Sequence, residues 1–275
     1  MFKLNIGSKK PLTSGYDIPS LSFGLADIDS AFMYRNEASC GDAIKSSGVP
    51  REDIFFTTKI YGGKQMSHEY AAKQIDQTIA NSGLTYVDLT HPLSRRRPSR
   101  NYGVHHLDEL EQHIKELEEE RGGKGKGGVV SVGQWEIHPW LPRSDIVEWC
   151  VKRGVVIEAY SPLVRGERKD DEVFTKLAMM HGKLWAQCLI RWSLQKGYVP
   201  LPKSVTSARI EQNAQVYDFE LGPEDMELLN FDEYQPTFWD PTVQPRRSRQ
   251  DSGMYWASFT YSDGLILDAN SSQDI

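Results

Sequence analysis

Short apolar runs and longer amphipathic ones take turns along this chain. DIFFTTKI (53–60) is rich in β-branched and aromatic residues, as a strand requires. SHEYAAKQIDQTIANSG (67–83) spaces its apolar residues at helical period and closes on a glycine. YVDLTHP (86–92) reads as a strand and VHHLDELEQHIKELEEE (104–120) as a long charged helix. The alternation continues through VVSVGQWEIHP (129–139), the helix SDIVEWCVKRG (144–154) and the strand VVIEAYSPL (155–163). Helices across 172–196, the strand YVPLPKS (198–204) and the helix SARIEQNAQVYDF (207–219) complete it. Strands separated by helices predict βα units, parallel pairing and right-handed crossovers.

Two architectures fit that order, an open doubly wound sheet and a closed barrel. No GxGxxG follows an early strand, so the dinucleotide-binding open sheet has no support. Nearly every predicted strand ends on a chemically capable residue: Asp29, Lys59, His91, Gln134 with Glu136 and His138, Tyr160 with Ser161, Lys203 with Ser204. In a (β/α) barrel all those ends converge on one rim. The pattern therefore predicts an α/β fold of the (β/α)8 TIM-barrel type.

The length of 275 residues suits one such domain, placed over 1–245, with the polar, aperiodic stretch 246–275 predicted as a flexible tail. GGKGKGG (122–128) lacks the GK[ST] ending of a P-loop and reads as a connector. A net charge of -6 gives no electrostatic reason to expect nucleic acid or anionic membrane as a partner. No run approaches the ~20 apolar residues of a spanning helix. Three cysteines without CxxC spacing suggest neither disulfides nor zinc, and the default location is the cytoplasm.

Asp29, Tyr34 and Lys59 follow two successive strands. A free tyrosine ionises near pH 10; a neighbouring ammonium favours the phenolate, and a carboxylate beside the ammonium holds it in place. His91, at a third strand end, is able to hydrogen-bond a carbonyl oxygen. Lys203, Ser204, Arg209 and Asn213 gather two cations, a hydroxyl and a helix N-terminus, a receiver for a phosphate monoester such as the one that separates NADP from NAD. Tyr160 offers a flat face to a nicotinamide ring. Each residue also has a plain structural reading. Asp29 serves equally as a helix cap, Tyr34 as packing, Lys59 as a solvated end, and His91 as a core histidine. Glu136 and His138 lack a third partner at metal-ligand spacing.

Taken together, IDSAFMYRNE, FFTTKIY, QWEIHP, AYSPL and PKSVTSARIEQN resemble the aldo-keto reductases, in family order from about residue 12 to 245. The resemblance implies that Tyr34 is the general acid, Lys59 its modulator, Asp29 the partner of Lys59, and His91 the group that polarises the carbonyl. It implies that Asn101, Gln134, Tyr160, Ser161 and Leu163 line the nicotinamide half of an NADPH/NADP site. Lys203, Ser204, Arg209, Gln212 and Asn213 would line the adenosine phosphate half. Gln212 stands where the family has glutamate. Tyr61, Trp135 and Phe238 are implied walls of the substrate pocket.

The chain departs from the family pattern in three places. FGLADIDSA runs from the first strand straight to the end of the second, without the first helix. YVDLTHP is short; a loss of two residues keeps His91 facing inward but lowers it by about 6–7 Å. LSRRRPSRNYGVHHL replaces the fourth helix and fifth strand, leaving Arg100–Asn101 where the family has a Ser–Asn pair. About six strands are left where closure takes eight, so the expected barrel is incomplete or irregular, with open edges. The function implied is NADPH-dependent reduction of an aldehyde or ketone to an alcohol, in a specialised metabolite pathway, by a monomer or weak homo-oligomer. The alternative is an impaired relative that binds cofactor or a protein partner without turnover.

Overall fold

A computed structural model describes residues 5–21, 27–61, 68–93, 102–231 and 233–237, together with 240 and 242. It opens with a hairpin in which β1 (Lys9–Pro11) pairs antiparallel with β2 (Asp17–Pro19). Six parallel strands follow in two sheets. β3 (Asp27–Asp29), β4 (Phe55–Tyr61) and β5 (Leu89–Leu93) form one; β6 (Val132–Glu136), β7 (Val156–Tyr160) and β8 (Val199–Leu201) form the other. Helices α1 (Glu37–Ser46), α2 (His68–Ser82), α3 (Val104–Glu120), α4 (Ser144–Arg153), α5 (Glu172–His181), α6 (Trp185–Gln195), α7 (Ser207–Ala214) and α8 (Pro223–Leu228) alternate with them.

This is the barrel-type α/β order, with six parallel strands among the described residues, the number the sequence leads one to expect. The expected internal losses around 22–26 and 94–101 lie outside the described residues, as does the stretch 246–275. No helix among the described residues is long and apolar enough to cross a membrane.

Period-2 alternation sorts the side chains of each strand onto two faces. One set meets inside: Phe55, Leu89, Val132 and Val199 are buried against Leu12 and Ile18, so the hairpin plugs the floor on which the sheets stand. The opposite set faces the helices. There Trp135, Ile157 and Ala159 join Leu107, Ile146, Trp149, Phe174 and Trp192 in the largest apolar cluster. A smaller one, Ile44, Ile54, Phe56 and Leu84, seats α1 and α2 on the first sheet.

The α1–α2 contact depends on Gly41, where a Cβ would stand 1.9 Å from the Ser82 carbonyl oxygen and 2.8 Å from its Cα. Both obstacles are backbone, so the helices would have to part. Gly41→Ala is expected to cost about 2 kcal/mol or more and to lower Tm by roughly 5 °C. A thermal melt indistinguishable from the parent's would contradict that contact.

Candidate active site

The first sheet sets three side chains on its inner face. Parallel registers place Asp29 opposite Thr57, and Lys59 opposite His91. Lys59 is fully buried. Its ammonium donates to the Asp29 carboxylate and, at 2.8 Å, to the Ser30 carbonyl. A buried ammonium is tolerated only when paired and hydrogen-bonded, and here both conditions hold. Past β3 the chain makes a single 3-10 turn over Phe32–Tyr34, ended by Arg35 in the left-handed region at φ 53°. The turn carries Tyr34 to a place where Lys59 Nζ lies 5.4 Å from its ring centroid. Tyr34 stays half exposed while the cation beside it is sealed from water. Asp29, Tyr34 and Lys59, separated in sequence, are thus brought together.

His91 is buried too, with Nε2 3.1 Å from Glu158 Oε2. Gln134 donates to that same oxygen at 2.8 Å. Glu158 precedes Tyr160, the tip of β7, by two residues, one pleat repeat of about 6.5 Å. His91 therefore bonds at a level below the rim. Burial by itself would raise the Glu158 pKa. Hydrogen bonds from His91 and Gln134, with the positive charge of Lys59, reverse that and hold the carboxyl below its ordinary value. Glu158 is not among the candidates read from the sequence. The one trace of it there is an acid interrupting the apolar run VVIEAY.

The rim above β6 has its own polar fastening. Glu136 Oε1 lies 3.2 Å from His138 Nε2 and accepts from the Thr237 backbone at 2.8 Å. Burial opposes ionisation of Glu136, but these bonds prevail and hold its pKa low. Arg143, buried and left-handed at φ 47°, donates to the Glu136 carbonyl, the Tyr234 hydroxyl and Thr242, and pairs with Asp240 at 3.2 Å. Its partners at 234–242 are some ninety residues distant, so no local pattern announces it.

Tyr160 ends β7, paired with Glu136 on one side and Leu201 on the other. Ser161 follows at φ 51°, and Leu163 leads into Val164 and Arg165, both at positive φ. After β8, Ser204 Oγ accepts from the Thr206 backbone and turns the chain into α7. Lys203, Arg209 and Gln212 are exposed there and Asn213 is buried. Neither Lys203 nor Arg209 makes an ion pair with a described residue, so two cations stand available to a phosphate at a helix start. That donor set suits a phosphorylated nucleotide, with Tyr160 on the neighbouring tip of β7 and Gln134 one pleat repeat below the tip of β6.

One expectation is corrected. Trp135 is not a pocket wall: with Gln134 and Glu136 turned inward, period 2 turns Trp135 out to the helices, where it is 2% exposed. Its indole lies over Gly133, whose missing Cβ would stand 2.0 Å from the ring, and Nε1 donates to the Tyr102 carbonyl at 3.0 Å. Asn101, Phe238 and the side chain of Tyr61 lie outside the described residues.

The model of the "Aldo/keto reductase family" matches residues 20–120 and 99–230. A glyoxal reductase of Bacillus subtilis is 35% identical over 231 residues, 75% of this chain and 78% of that protein. An aldehyde reductase of Saccharomyces cerevisiae is 34% identical over 277 residues, 81% of this chain and 87% of that protein. Among solved structures, an aldo/keto reductase from Brucella melitensis superposes with a TM-score of 0.67 at 27% identity, covering 81% of this chain and 98% of that one. With fold and sequence in agreement, the chain belongs to the aldo/keto reductase family, and is an oxidoreductase of carbonyl-reducing type.

Proposed function

We propose that this enzyme reduces a small aldehyde or ketone to the alcohol, with NADPH as reductant. The observation that carries the reading is the buried Lys59, held by Asp29 and the Ser30 carbonyl beneath the half-exposed Tyr34 ring. NADPH, when bound, supplies the hydride. Tyr34 gives its proton to the carbonyl oxygen, and the fixed ammonium of Lys59 balances the phenolate left behind. Asp29 keeps that ammonium in place. His91 lies opposite Lys59 on the next strand, within the same inner face, and is held there by Glu158. Gln134 and Tyr160 orient the nicotinamide, and Lys203, Ser204, Arg209 and Asn213 hold the adenosine phosphate. Similarity to a glyoxal reductase and an aldehyde reductase supports a small aldehyde or dicarbonyl as substrate. An acidic composition and cysteines without disulfide spacing support a cytoplasmic setting.

Fluorescence titration with NADPH and NADH, followed by turnover of glyoxal, tests this. Arg209→Ala is expected to weaken NADPH binding roughly tenfold or more, the worth of one charge-assisted hydrogen bond, and to leave NADH nearly unaffected. Equal losses for both nucleotides would remove Arg209 from the phosphate site. One observation favours the second reading, cofactor binding without turnover: His91 Nε2 is taken by Glu158 below the tip of β7. NADPH binding with no turnover, unchanged by Tyr34→Phe, would select it.

A further inference from the structure

Glu158 has no place in the reaction as described, yet it is 1% exposed, charged, and central to the interior. Its bond to His91 reaches from β7 across to β5, from one three-stranded sheet to the other. Its Oε2 also receives Gln134 Nε2, from the strand paired directly beside it at register Gln134↔Glu158.

An ionised carboxylate has acceptors only, so the Gln134 amide must turn its NH2 toward Glu158. The amide oxygen is then directed away from Glu158. A glutamine without such a neighbour has no reason to prefer either orientation, since its two ends are close in size and both bond well to water. A primary carboxamide of a ligand carries an N–H that an amide oxygen accepts, and a misoriented glutamine would meet it donor against donor.

We infer that Glu158 is a positioning residue, which fixes the Gln134 amide with its oxygen presented to the nicotinamide carboxamide and tethers His91 by Nε2 from the opposite sheet. This rests on the reading that the rim takes a nicotinamide cofactor. Charge at Glu158 matters less than a hydrogen-bond acceptor there. A glutamine at 158 retains an oxygen for Gln134 and His91; an apolar side chain of similar length does not.

The test compares binding of NADP+ with binding of its 3-acetylpyridine analogue, in which a methyl ketone replaces the carboxamide and its N–H is gone. The parent chain should prefer NADP+ by severalfold. Glu158→Gln should keep that preference within about twofold, whereas Glu158→Met, shown folded by its melting curve, should lose most of it. A folded Met variant with the parent's preference overturns the proposal. It leaves the cofactor reading standing, which fails only if the parent chain binds no NADP+. A residue that merely supported the fold would weaken both nucleotides alike and leave their ratio fixed.

An exchange of partners settles the matter should the Met variant not fold. Gln134→Glu alone sets two carboxylates face to face and should weaken NADP+ binding at least tenfold. Combining it with Glu158→Gln rebuilds a donor facing an acceptor, and should restore binding to within about threefold. Failure of the double exchange to restore binding would overturn the assignment as well.

Discussion

Tyr34→Phe is expected to lower carbonyl reduction by roughly 100-fold to 10,000-fold, the contribution of a positioned proton donor, while NADPH binding stays within about twofold. The substitution deletes one oxygen from a residue that is 50% exposed, so packing changes little and unfolding cannot account for the loss. The ring stays where it is, 5.4 Å from Lys59 Nζ, and only the transferable proton disappears. Steady-state kinetics with glyoxal and a fluorescence titration check the two halves of the statement. A Phe variant with more than a tenth of the parent's turnover would take Tyr34 out of the chemistry.

Separating Asp29 from Lys59 should damage fold and function together, but unequally. Asp29→Leu leaves a fully buried ammonium held by the Ser30 carbonyl without a counter-charge, whereas Lys59→Met leaves a carboxylate that is 23% exposed. Water can reach the second orphan and not the first. Asp29→Leu is therefore expected to destabilise by about 3 kcal/mol or more, the larger of the two losses, because an uncompensated buried charge is the costliest product of breaking such a pair. Both variants should lose turnover by more than 100-fold, since Lys59→Met removes the cation beside the phenol and Asp29→Leu removes the carboxylate that fixes it there. Urea unfolding gives the stability order; a less stable Lys59→Met than Asp29→Leu would mean that the carboxylate, not the amine, is the desolvated partner.

Much of this arrangement was legible in the chain. Period and composition located the strands of both sheets, and the reactive residues at their ends marked the rim. Asp29, Tyr34 and Lys59 come together because β3 and β4 are adjacent and parallel, which alternation with helices already implied. Trp135 was misplaced although period 2 was available: once Gln134 points inward, its neighbour must point out. The plug hairpin over Lys9–Pro11 and Asp17–Pro19 escaped notice because its strands are three residues each, too short for periodicity to register. Glu158 and Arg143 lie beyond any local reading. Each is a charge in an otherwise ordinary run, and its meaning is set by side-chain partners 24 to 99 residues away.

Strain at the rim follows the same logic. Val164 is β-branched and sits at φ 47°, a conformation of order 1 kcal/mol or more above its preferred region. Its side chain is buried in the large apolar cluster, which offsets that cost. The turn after Tyr160 is thereby held by packing, not by a permissive residue.

A phenol, an ammonium and a carboxylate are expected to share one mouth above a bound nicotinamide. A crystal structure of the enzyme with NADP+ measures that directly. The nicotinamide ring is expected against Tyr160, its carboxamide on Gln134, with room for a carbonyl carbon at about 3–3.5 Å from C4 and its oxygen in reach of the Tyr34 hydroxyl. A nucleotide bound elsewhere, or a nicotinamide seated with Tyr34 turned away from it, would contradict the account.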